Sequence, residues 1–95
     1  MLEAFNKAMN VEHKLSTDVS NIKGMSGKKY RYWINNFISS QESPRYLEIG
    51  SWKGSTACSA MAGNKLSLTC IDNWSQFSHS TQTKNVFLRN VKRCS

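Results

Sequence analysis

The stretch "YLEIGSWKGST", residues 46–56, constrains this chain more than any other. An apolar run ends near the carboxylate of Glu48. Gly50 and Gly54 follow with three residues between them, and Ser55 and Thr56 open a segment of small side chains. Glycine lets a backbone turn sharply and approach a neighbour or a ligand closely. A second apolar run, "LSLTCI" at 66–71, ends at Asp72. Strand, glycine turn, helix and strand in this order predict two parallel strands joined by a crossover helix. The expected strands are 46–49 and 66–71. The helix between them, about 55–62, is built from Ala57, Cys58, Ser59, Ala60 and Ala62, small enough to lie close on a sheet. Gly63 and Asn64 supply its C-terminal turn.

Upstream, Leu2, Phe5 and Met9 form one helical stripe and Leu15, Val19 and Ile22 a weaker one, with Ser16 to Asp18 offering cap chemistry. Gly24 and Gly27 interrupt the pattern, and Ser26 is a candidate cap. Tyr30, Trp33, Ile34, Phe37 and Ile38 then fall at i, i+3, i+4, i+7 and i+8, which predicts an amphipathic helix with an aromatic core face. Arg31, Asn35 and Asn36 are expected to face away from that core. Pro44 ends the helix by disfavouring helical geometry at Ser43. After Asp72 a polar loop, "NWSQFSHSTQ", leads to a last amphipathic helix from about Gln82 with Val86, Phe87 and Val91 on one side. The fold class is α/β, with Rossmann-like βα units, parallel strands, N-terminal helices and an incomplete sheet. The organisation expected is an N-terminal helical segment, 1–23, followed by half of a Rossmann-like domain, 24–95.

Ninety-five residues make at most one small domain, burying about 60–65% of the unfolded surface. Net charge is +7, but the 13 Lys and Arg are scattered, which favours a basic, solvated surface over a dedicated nucleic-acid interface. Cys58, Cys70 and Cys94 are odd in number, widely spaced and form no CxxC pair. They imply neither a disulfide framework nor a zinc site, and fit a reducing, cytoplasmic setting. His13 and His79 are isolated and read as surface residues. No apolar run approaches the roughly 20 residues needed to cross a bilayer, and the N-terminus lacks the apolar region of a signal peptide.

Three nucleotide-binding patterns compete for the glycine turn. A Walker loop needs four residues between its glycines and then Lys-Ser/Thr, whereas Lys53 precedes Gly54. The dinucleotide fingerprint GxGxxG needs glycine where Trp52 stands. The remaining pattern, E-x-G-x-x-x-G, resembles motif I of class I S-adenosylmethionine-dependent methyltransferases. It is closest to the catechol and caffeoyl-CoA O-methyltransferase style, in which an aromatic residue replaces the middle glycine and a hydroxyl residue, here Thr56, follows the second. "IDNW", residues 71–74, resembles the acidic strand end of the same fold, and Asp72 lies 24 residues after Glu48. "MSGKKYRYWINNF" also looks like the helix preceding motif I, so the resemblance covers roughly residues 24–93.

The resemblance implies S-adenosylmethionine as cofactor and methyl transfer to an unknown acceptor, a small molecule in preference to nucleic acid. Glu48 would attract the cofactor's amino group. Backbone N–H groups near Gly54 and the Thr56 hydroxyl would take its carboxylate, and Asp72 would receive the ribose hydroxyls. Trp74 would pack on adenine and Trp52 on the methionine arm or sulfonium. Each role has a structural counterpart: Gly50 and Gly54 as a tight βα turn, Asp72 as a cap for the loop after it, the tryptophans as core. No catalytic residue and no metal ligand is assigned, because the family's acceptor and metal residues lie on later strands. The chain thus reads as the cofactor-binding part of a methyltransferase, inactive alone and able to self-associate through its sheet edge. The other reading is a standalone βα module that binds a nucleotide-like ligand or a protein partner.

Overall fold

A computed structural model describes residues 1–75 and 79–94. Among the described residues seven elements follow in order: α1 (Leu2–Met9), α2 (Thr17–Ser20), α3 (Lys28–Ser39), β1 (Arg45–Ile49), α4 (Ser55–Met61), β2 (Ser67–Ile71) and α5 (Ser80–Cys94). β1 and β2 pair in parallel, with Arg45 opposite Ser67 and Ile49 opposite Ile71. The architecture is therefore α/β with a two-stranded parallel sheet. Residues 76–78 of the loop expected before α5 lie outside the described residues, and α5 begins two residues earlier than its apolar pattern indicates.

Successive strand side chains alternate between faces. Tyr46 and Glu48 of β1, with Leu68 and Cys70 of β2, occupy the more buried face. On the other face Leu47, Ile49 and Ile71 stand 60%, 77% and 53% exposed. Parallel sheets are ordinarily covered on both sides; here the helices cover one.

α3 corrects the expected orientation. The buried face holds Arg31, Ile34, Asn35 and Ile38, while Tyr30 is exposed and Trp33 and Phe37 are half-buried. The physical reason is the supply of bare carbonyls around it. Asn35, wholly buried, donates through Nδ2 to Ser59 O at 2.9 Å and Ala62 O at 2.8 Å, and its Oδ1 accepts from Lys14 N. Arg31 donates to Ser20 O, Ile22 O and Ser26 Oγ, so its burial is matched by hydrogen bonds while desolvation draws its pKa down. Asn36 is half-buried and donates to Glu12 O at 2.7 Å. The end of a helix leaves carbonyls unsatisfied; Asn35 fills that need for α4.

The aromatic stripe instead stacks along itself, Trp33 on Phe37 with centroids 5.4 Å apart. Trp33 also packs with Tyr46 and Leu66 against the core of Ile34, Ile38 and Ala60. His13 is half-buried and stacks on Tyr32 at 3.9 Å. α1 is likewise rotated from expectation. Ala4 and Ala8 are buried and Leu2, Phe5 and Met9 are exposed, because small side chains let α1 lie directly on α3. The small residues of α4 serve the same end, bringing it onto α3. Ser16 caps α2 as expected, accepting from Val19 N. No helix among the described residues is long and apolar enough to cross a membrane.

Candidate functional site

β1 ends by handing its ladder to the turn: Gly50 N donates to Ile71 O at 2.8 Å. The turn then closes with Gly54 N donating to Ser51 O, also at 2.8 Å. Gly50 and Gly54 both take left-handed φ, +85° and +88°. At Gly54 a side chain would also meet Phe87 Cδ2 of α5 at 3.2 Å. That glycine is thus required twice, for backbone conformation and for helix packing.

Glu48, Gly50, Trp52 and Thr56, with Ser51, Ser55 and the 25–26 loop, line one pocket of about 210 Å³. Gly24 brings that loop in, since any side chain there would collide with Ser55. Glu48 is 9% exposed. Its Oε1 accepts from the Tyr46 hydroxyl at 3.0 Å, whereas Oε2 is buried without a partner, as is Ser51 Oγ. Burial pushes the Glu48 carboxyl above the ordinary carboxylate range; the Tyr46 hydroxyl and the nearby Ser51 hydroxyl pull it back in part, and Asp72 adds repulsion. The Tyr46 phenol is driven far up by burial and by the adjacent carboxylate. A buried carboxylate oxygen without a hydrogen bond is costly; the Ser51 hydroxyl beside it can relieve that cost, and so can protonation, toward which burial pushes the carboxyl.

Asp72 stands at the end of β2 and turns inward. Its Oδ2 accepts from Trp52 N and its Oδ1 from Trp74 N, each at 2.7 Å. Trp74 Nε1 returns a hydrogen bond to Trp52 O at 2.8 Å. The Trp74 ring lies on Phe87 at 5.4 Å, and Lys53 Nζ sits 4.7 Å from the centroid of the Trp52 ring. Of the residues singled out in the sequence, Glu48, Gly50, Trp52 and Thr56 share the pocket. Asp72 is linked to it through Trp52, while Gly54 and Trp74 face α5.

Three contributors escaped sequence reasoning. Tyr46 lies two residues before Glu48 on the same strand face, a spacing that could have revealed it. Ser51 sits inside the motif but matches no expected donor. Asn90, 8% exposed, ties α5 to the turn by donating to Lys53 O at 2.9 Å; nothing in the local sequence announces it. Among the described residues no three His, Cys, Asp or Glu side chains converge as a metal site. Cys58 is fully buried and its thiol is pushed far up by burial and by the neighbouring Cys94 thiol, which makes it a poor nucleophile. Comparison with protein-family models, with curated proteins and with solved structures finds no match.

Proposed function

We propose that this chain carries the S-adenosylmethionine-binding part of a class I methyltransferase, in a Rossmann-like arrangement of its βα units. The observation that carries the reading is Glu48. A nine-tenths-buried carboxylate with one unpartnered oxygen stands beside a pocket walled by a glycine turn. Such an oxygen suits an ammonium group, and the cofactor's α-amino group is one. Thr56 and Ser55 offer hydroxyls on the same pocket wall for a carboxylate. Trp52 also lines the pocket, and an aromatic ring there suits a cationic centre, although Lys53 Nζ already lies 4.7 Å from the ring centroid.

Asp72 fits a ribose only as a shared acceptor. Both its oxygens already receive backbone N–H groups, and each keeps a second lone pair. A pocket of about 210 Å³ is smaller than the roughly 300–1,000 Å³ that encloses a small molecule. It therefore corresponds to one wall of a cofactor site. When bound, S-adenosylmethionine would supply an activated methyl group; the residues described here would hold and orient it, with the acceptor side unassigned. The isolated 95 residues should bind weakly and not turn over.

The test is calorimetric titration of the chain with S-adenosylhomocysteine. Weak, saturable binding that falls at least about tenfold in Glu48→Gln is expected, the usual size for one charge-assisted hydrogen bond. No binding, or equal binding by both proteins, would reject the assignment. A second reading, self-association through the sheet, is supported by the exposed Leu47, Ile49 and Ile71.

A further inference from the structure

A second concavity lies across Lys53 from the Glu48 pocket and shares no residue with it. It has a volume of about 400 Å³ and runs between the end of α2 and α5. Lys23, Lys53, Arg89 and Arg93 line it, against the single carboxylate of Asp18. Arg93 already contacts that carboxylate at 3.5 Å. Among the described residues Lys23, Lys53 and Arg89 have no carboxylate within ion-pair distance.

The convergence is tertiary and invisible in the scattered basic residues of the sequence. Arg89 and Arg93 are one helical turn apart and share a face of α5. Lys53 is brought to them by Asn90, whose buried carboxamide holds the Lys53 carbonyl at 2.9 Å. All four basic residues border one groove, with the Lys53 ammonium also 4.7 Å from the Trp52 ring centroid, and charges on one rim act together within the ~10 Å Debye length of 0.1 M salt. Like charges gathered in this way repel one another, and a multivalent anion relieves the repulsion.

We infer that this groove binds a ligand carrying two or more linked phosphate groups. Guanidinium forks match phosphate oxygens in pairs, and lysines add point charge. A diphosphate concentrates several negative charges within the span of the groove. An acidic peptide spreads one charge per residue along steps of ~3.3 Å or more, and matches it less well. The linked phosphates are those of a free di- or triphosphate; a nucleic-acid strand carries one charge per ~3.4 Å and, like an acidic peptide, matches the groove less well.

The test is an amide-resonance titration of the full chain with inorganic pyrophosphate at low salt. Saturable shifts at Lys23, Lys53, Arg89 and Arg93 are expected. Arg89→Ala and Lys23→Ala, both exposed positions, should each weaken binding by about tenfold. Glu48→Gln should leave pyrophosphate binding intact, so that loss of the cofactor reading and loss of this one are separately visible. A short oligothymidylate should bind more weakly than pyrophosphate and be displaced by it; one that binds much more tightly would overturn the assignment to linked phosphates. Absence of saturable shifts, shifts unaffected by both substitutions, or an equal response to polyglutamate would overturn the inference.

Discussion

The Trp52 backbone N–H donates to Asp72 Oδ2 at 2.7 Å, across the gap between the turn after β1 and the end of β2. The other carboxylate oxygen holds Trp74 N at the same distance. Both tryptophans have left-handed φ, 46° and 54°, a conformation that costs roughly 1–2 kcal/mol per residue. Hydrogen bonds to a charged acceptor are worth roughly 1.5–3 kcal/mol each, enough to offset it. Asp72 therefore shapes the turn whatever else it does.

Asp72→Ala should destabilise the chain by about 2–4 kcal/mol, since two charge-assisted hydrogen bonds vanish while two strained residues remain. Denaturant unfolding measures that loss. An unchanged midpoint would show that the carboxylate does not hold the turn. Affinity for S-adenosylhomocysteine, measured where the variant is still folded, isolates any direct role in ligand binding.

Glu48 should give the stability curve a distinct pH dependence. Its folded-state pKa is raised, chiefly by burial, so the folded protein binds a proton more readily than the unfolded chain. The resulting contribution is fully present below the unfolded value near 4.5 and disappears as pH rises through the folded value. Glu48→Gln removes the titration. Its stability relative to the unsubstituted protein should therefore rise between about pH 4 and about pH 7. Chemical melts of both proteins at the two pH values test this; a constant difference would contradict it.

Gly54 carries a more severe constraint than Gly50. Gly54→Ala combines a left-handed backbone with a methyl group 3.2 Å from Phe87, and should cost about 2–3 kcal/mol. Gly54→Val should be worse and should abolish ligand binding by moving the turn. Gly50→Ala meets no atom within 4 Å and should cost only the backbone preference, about 1–2 kcal/mol. Equal thermal shifts for the two alanine variants would show that contact with α5 does not matter.

The open sheet face predicts association. Leu47, Ile49 and Ile71 are exposed on one face of a sheet in which, among the described residues, β1 pairs with β2 alone, the kind of surface that recruits another chain. The unsubstituted protein should bind a hydrophobic dye and run above its monomer mass at high concentration. Leu47→Thr with Ile49→Thr should reduce both effects without reducing stability. A monomeric, dye-silent protein with a cooperative melt above about 60 °C would refute this expectation.

Local pattern accounts for what was legible in the chain. The βαβα order follows from two short apolar runs, the glycine turn between them and an intervening run of small residues, all features read over a few adjacent positions. The sequence groups Glu48, Gly50, Trp52, Gly54 and Thr56 because one turn carries them, and adds Asp72 and Trp74 from the end of the second strand; of these only Glu48, Gly50, Trp52 and Thr56 line the pocket. Gly54 and Trp74 are expected on the ligand side but face α5 instead, where Phe87 packs on both from a later helix.

Which face of a helix turns inward was decided by its neighbours. An amphipathic pattern weighs apolar against polar residues, and on that measure Tyr30 outranks Asn35. The folded chain reverses the ranking because α4 and the end of α2 present unsatisfied carbonyls, and Asn35 and Arg31 donate to them. The inward turn of Asp72 has the same cause, two backbone N–H groups left without partners by left-handed tryptophans. The sequence by itself determined the order of elements and the residues of the glycine turn, because these are local. Tertiary structure alone decided which polar groups are buried, because hydrogen-bond supply is a property of what packs beside them.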